Sequence, residues 1–230
     1  MSEQMNLMAD GLAGSQKDFY RFVNDSSWLG GSSEYSSLNE GFPYWFNGLV
    51  PLAYGSGNDR LKSQVHDALD YVLDHQQADG WLGPETTYAA RDLWARFPLF
   101  LGLIQFLEAQ PSQTSRLLPA MYSFIRRMNS MLAYDLGFLD YWGQVRYQDM
   151  MIALQWLYEN APVHDARLLF DTMKLLRQRG RDWAKYYDQS KYMFADLDTI
   201  QPAVTAWSDS FPWVHGVNVG QCELNPFHSR

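Results

Sequence analysis

The side chains able to do chemistry in this sequence are carboxylates, imidazoles and indoles rather than thiols. Glu40, Glu85, Asp140 and Asp149 each lie in or near a connector or a helix end, with aromatic residues close by. Two such carboxylates can hydrolyse a glycosidic bond if the fold holds them at a catalytic separation. Spacing along the chain places no two of them at that separation. Asp149 reads as a helix-surface residue near Arg146, and Glu40-Gly41 as a pair that fixes a helix entry. Asp79, before Gly80, either accepts backbone hydrogen bonds in a turn or touches a hydroxylated ligand. Trp81 is either a platform for the apolar face of a sugar or packing between helical hairpins. His215 lies between Pro212-Trp213 and Gly216-Val217-Asn218, where small residues let a ligand approach the backbone. The competing reading is a hydrogen-bonded core histidine at a helix start. Asn218 can donate to and accept from sugar hydroxyls, or simply sit in that helix's first turn. His66, His75 and His164 fall on predicted helix faces without metal-ligand spacing. The single cysteine, Cys222, excludes an internal disulfide and a thiolate metal cluster within the chain. It reads as an incidental thiol, not a nucleophile.

The elements that must position these groups are helices. From Asn58, a plausible N-cap, apolar residues fall at Leu61, Val65, Ala68, Leu69, Val72 and Leu73, with Lys62, Asp67, Asp70 and Asp74 elsewhere on the helix. Similar stripes run through Trp94, Phe97, Leu101, Ile104 and Leu107, and through Leu117, Leu118, Met121, Ile125, Met128 and Leu132. Met150, Leu154 and Leu157 mark a fourth. Leu168, Leu169, Met173 and Leu176 mark a fifth that ends near Gly180, as a glycine C-cap would require. Further helices are predicted over Pro43 to Tyr54 and around Met5, Met8 and Leu12. Alternating β-branched runs are absent, and Asp79-Gly80 follows a helical pattern, so it reads as a helix-ending turn. The predicted class is all-α.

A faint repeat organises these helices. Ser27-Trp28-Leu29-Gly30 returns as Gly80-Trp81-Leu82-Gly83, and more loosely as Gly137-Phe138-Leu139-Asp140-Tyr141-Trp142-Gly143. About two helices separate successive copies. A period near 50 with helix pairs suggests stacked α-hairpins, either an open solenoid or a closed α/α toroid. A ring of six hairpins needs twelve helices, whereas seven or eight can be counted. The expectation is therefore an incomplete (α/α)6 toroid.

Composition narrows the partners. Aromatic residues make up 16% of the chain, including nine Trp and fourteen Tyr, and the formal net charge is −8. No basic run is long enough for a nucleic-acid stripe or an anionic-membrane patch, so neither partner is expected. No apolar run approaches the length of a membrane span. The first residues lack the charged and apolar regions of a secretion signal. Rings with polar edges and an acidic balance suit uncharged polysaccharide.

Three segments carry a resemblance: Leu38-Asn39-Glu40-Gly41-Phe42-Pro43-Tyr44-Trp45 running on to Ala53-Tyr54, then Tyr71 through Gln76-Gln77-Ala78-Asp79-Gly80-Trp81-Leu82-Gly83-Pro84, and finally His215-Gly216-Val217-Asn218-Val219-Gly220. Together they resemble glycoside hydrolase family 127, the β-L-arabinofuranosidase-like proteins, and their fungal members in particular. The likeness runs from about Gln4 to Gln221. It implies an (α/α)6 barrel followed by β-rich domains, often in secreted proteins, and retaining hydrolysis of a terminal β-L-arabinofuranosyl unit. In that family a zinc-bound cysteine thiolate is the nucleophile and a glutamate the acid/base. The resemblance implies that those residues lie beyond this chain, which would then carry no cofactor and no catalytic group of its own. It also implies that His215 and Asn218 line the pocket mouth; Asp79 and Trp81, read from their own surroundings, are the further substrate-binding candidates. Two departures stand out. Trp94-Ala95-Arg96-Phe97-Pro98-Leu99 has no histidine where the family carries a Gly-His-Leu sugar-binding histidine. Residues 222–230 do not continue the family's helix. The expected organisation is a partial barrel domain over 1–221 and a non-family tail over 222–230. The alternative is a non-catalytic helical-hairpin scaffold that binds sugar or protein.

Overall fold

A computed structural model describes residues 2–134, 141–161 and 165–181. His215, Asn218, Cys222, Asp140, His164 and the segment 222–230 lie outside the described residues, as do residues 137–140 of the third Trp-Gly echo. Among the described residues every regular element is helical and no strand occurs. The α-helices are α1 (Ser2–Asp10), α2 (Gln16–Phe19), α3 (Arg21–Asn24), α4 (Gly41–Ser56), α5 (Asp59–Asp74), α6 (Arg96–Ala109), α7 (Thr114–Tyr134), α8 (Tyr141–Val145), α9 (Tyr147–Asn160) and α10 (Ala166–Arg179).

The long helices fall into two rows because their surfaces differ. Helix α6 is apolar around most of its surface, with Phe97, Leu99, Phe100, Leu103, Ile104 and Phe106 all buried and only Arg96, Gln105 and Glu108 polar. A helix of that kind is stable only when covered all round, and α6 accordingly packs between α4 and α9. Gly102 lets α4 come close: a Cβ there would stand 2.7 Å from Phe46 Cδ1 and 3.2 Å from the Asn47 Cα. Helices α5, α7 and α10 are instead amphipathic, each with one apolar stripe. They form the second row: α5 packs on α4, α10 packs on both α9 and α7, and Arg116 of α7 pairs with Asp70 and Asp74 of α5. Those exposed ion pairs contribute little; the apolar stripes hold the rows together. The stripe expected from Trp94 to Leu107 is therefore one side of a helix that is apolar over most of its surface.

Some helix ends obey the signals in the sequence. The Asn58 side chain accepts from the Leu61 amide at 3.2 Å, capping α5 as expected. Helix α4 stops at Gly57, whose φ of 71° is left-handed. Gly180 does end α10, but not as a left-handed cap: its φ is −79° and its backbone extended. Its lack of a side chain serves packing instead, because a Cβ at Gly180 would collide with the Tyr147 ring of α9. The short helices α1 to α3 lie before α4, and α1 packs on it. Arg60 of α5 ties this segment down, donating to the carbonyls of Ala9 and Gly14 at 3.0 Å each.

Candidate functional site

The N-terminal ends of α4, α6 and α9 meet. Tyr44 stands in the first turn of α4, Trp94 just before α6, and Arg146 just before α9. Arg146 Nη1 donates to the Tyr44 hydroxyl at 3.2 Å, and its guanidinium lies 5.1 Å from the Trp94 ring. The Tyr44 and Trp94 rings meet edge to face at 6.1 Å. Arg146 Nη2 pairs with Asp149 Oδ2 at 2.7 Å. Tyr44 is 42% exposed and so faces solvent. Among the described residues the Arg146 Nε–H finds no acceptor. Trp94 itself is buried beneath them, so the cluster presents a phenol and a guanidinium to one place, a combination that recognises hydroxyls by hydrogen bonds.

Asp149 departs from its expected place. It is not a helix-surface residue but 1% exposed, because the start of α9 faces the neighbouring helix ends rather than water. Burial pushes its carboxyl up to about 6 against the opposing influence of Arg146, which both attracts the carboxylate and donates to it. Desolvation therefore outweighs the ion pair. A group raised in this way contributes stability that is fully present below its unfolded value near 3.8 and lost as pH rises through 6. Urea unfolding at pH 4, 5, 6 and 7 should show a component of stability falling by up to about 1.4 kcal/mol per pH unit across that window. Asp149→Asn should flatten that component. An unchanged pH profile in the variant would rule out Asp149 as its source.

Asp79 and Trp81 belong to a different cluster, built around the buried side chain of Arg96. Arg96 is 0% exposed and lies between two indoles, 4.9 Å from Trp28 and 4.2 Å from Trp81. The two clear copies of the Trp-Leu-Gly repeat therefore face one another across a guanidinium. Arg96 Nε donates to the Leu82 carbonyl at 2.7 Å, Nη1 donates to the Asp92 carbonyl at 3.1 Å, and Nη2 pairs with Glu85. Glu85 also accepts from Asn39 Nδ2 at 2.8 Å and from Trp81 Nε1 at 3.1 Å. Asn39 adopts a left-handed φ of 57°, and its carbonyl accepts from Trp28 Nε1 at 2.7 Å. Gly83 has φ 138°, and a Cβ there would collide with the Arg96 guanidinium.

These contacts decide the sequence candidates. Trp81 is wholly buried, with Arg96 and Arg91 against its ring, so it offers no open face to a sugar in this conformation. Asp79 accepts from the Trp81 amide at 3.2 Å and pairs with Arg91 at 2.6 Å and Arg127 at 2.8 Å. The Arg91 hydrogen bond leads in holding its carboxyl below the ordinary range. Gly80, with φ 88°, lets this turn lie on α7, since a Cβ would stand 2.6 Å from the Ser123 carbonyl oxygen. Glu85 is committed to Arg96. Glu40 immediately precedes α4 but does not cap it; its carboxylate accepts from Ser36 Oγ at 2.7 Å. Among the described residues no three of His, Cys, Asp and Glu gather around a possible metal position. No described helix is long and apolar enough to cross a membrane.

Sequence reasoning passed over Tyr44, Trp94 and Arg146 as site residues. The available signal was positional: each stands within a few residues of the start of a helix in the apolar row. The chain matches no family model, no curated protein and no solved structure.

Proposed function

We propose that this chain is part of a carbohydrate-acting α/α-hairpin domain of the β-L-arabinofuranosidase-like type. Its described helices α4, α5, α6, α7, α9 and α10 form an arc of a toroid, and a glycan binds at the N-terminal ends of α4, α6 and α9. The observation that carries this reading is the convergence of Tyr44, Trp94 and Arg146 with buried Asp149 behind them. Tyr44 and Arg146 would hold sugar hydroxyls, and buried Trp94 would back both of them. Asp149 keeps Arg146 in place. Bond cleavage by a zinc thiolate belongs to the resembled family and is assigned to no described residue here.

The test is a titration of the chain with L-arabinofuranose-terminated oligosaccharides, followed by tryptophan fluorescence. An aryl β-L-arabinofuranoside hydrolysis assay with added zinc runs in parallel. Saturable binding is expected in the parent chain, weakened about tenfold in Tyr44→Phe and in Arg146→Met, the loss of one good hydrogen bond to a charged group. Binding that neither substitution disturbs would remove the site from this end of the helices. Hydrolysis by the chain itself would show that it carries catalytic groups of its own.

A further inference from the structure

We infer that a second site adjoins the first: a groove beside α4 that takes the apolar part of a neutral amphipathic small molecule, with the molecule's hydroxylated end toward Tyr44 and Glu40. The identity of that end as a sugar rests on the function proposed above; the groove itself does not. It encloses about 490 Å³ between α4 and the segment holding α1 to α3. That is the size of a small-molecule pocket and too small for a docked helix. Trp45, Leu49, Leu52 and Phe22 make it apolar, while Glu40 and Tyr44 stand among its lining residues at the start of α4. Tyr44 is shared with the cluster at the helix ends, so the two sites are continuous.

Two observations point to an occupant. Glycine is among the poorest helix formers, and a glycine inside a helix usually relieves a close approach. Gly102 does so. Gly48, also in mid-helix, does not: a Cβ built there meets nothing within 4 Å, and the residue lines the groove. Gly48 is exposed, so its missing side chain leaves the groove open to solvent, and to a ligand, at that point. The second observation is charge. Of the residues lining the groove, Glu40 alone carries a formal charge. Arg146, the cation beside Tyr44, is paired with Asp149. A fatty acid would bring its carboxylate toward that of Glu40, whereas a neutral polyol head can donate to it.

The probes are n-octyl glucoside, octanoate, methyl glucoside and an octyl tetraethylene glycol ether, each added to the full chain below its micellar concentration. Binding is read by calorimetry and by tryptophan fluorescence. Octyl glucoside should bind at least about tenfold more tightly than octanoate or methyl glucoside. Gly48→Leu should abolish that binding while raising resistance to urea, because a better helix former then fills the gap. Should that variant fail to fold, Glu40→Gln carries the test, and octanoate should then approach octyl glucoside in affinity. Equal binding of the glucoside and the glycol ether keeps the groove and counts against the carbohydrate reading. Absence of octyl glucoside binding, binding unmoved by Gly48→Leu, or methyl glucoside binding equally well overturns the groove.

Discussion

Arg96→Met is expected to lower the unfolding free energy by about 3–5 kcal/mol, the usual consequence of breaking a buried ion pair from one side. Methionine approximates the length of the side chain but removes three commitments at once. Glu85 loses its cation, and the carbonyls of Leu82 and Asp92 lose their donor. Burial pushes the Glu85 carboxyl up, yet Arg96's charge and the hydrogen bonds from Arg96 and Asn39 more than offset this, leaving it below the ordinary range. In the parent chain this carboxylate therefore contributes stability above its unfolded pKa, and that contribution is lost as pH falls through the lower folded value. Without Arg96 the balance passes to burial, the sign reverses, and the variant should gain stability relative to the parent as the solution is acidified. Adding Glu85→Gln should recover part of the loss, since no uncompensated charge then remains. Equilibrium urea denaturation at two pH values measures all three results. A loss below about 1 kcal/mol, in the range of an exposed ion pair, would mean that the pair is far better solvated than its burial implies.

Trp81→Ala is expected to cost a comparable amount, about 3–5 kcal/mol. The indole fills a fully buried space against Phe124 at 5.6 Å, and its Nε1–H satisfies Glu85. Because it also lies on the Arg96 guanidinium, the two substitutions should not add. A double-mutant cycle should return a coupling of about 0.5–3 kcal/mol. The same variant separates the two readings of this residue. If Trp81 is packing, stability falls; if it serves only as a sugar platform, binding is lost while the urea midpoint stays where it was.

The helices were legible wherever one side of the helix meets water. Helix α5 shows a one-sided stripe and an asparagine cap in the sequence, and both occur. Helix α8, five residues long, has too few positions to display a period. The polar clusters were less accessible, for a physical reason. Whether Asp149 faces water depends on what stands opposite the start of α9, and spacing relative to Arg146 carries no information about that. Arg96 first drew notice only because it occupies a segment without a histidine. Its burial depends on two indoles 53 positions apart closing over it. The repeat identified both indoles and gave the glycines around them a turn role, which Gly30, Gly80 and Gly83 fill with positive φ. What periodicity could not express is that both rings meet the same cation.

That shared cation bears on how the chain reaches its fold. Arrays of helical hairpins ordinarily let each unit form on its own and pass order to its neighbour. Here the connector carrying Trp28 and Asn39, the connector carrying Trp81 and Glu85, and the start of α6 complete one another's hydrogen bonds, so none is finished alone. The first hairpin must wait for chain made some 50 residues later. Amides in both connectors should therefore exchange with solvent water through a single common opening rather than in succession, making α4 to α6 one cooperative unit instead of independent steps.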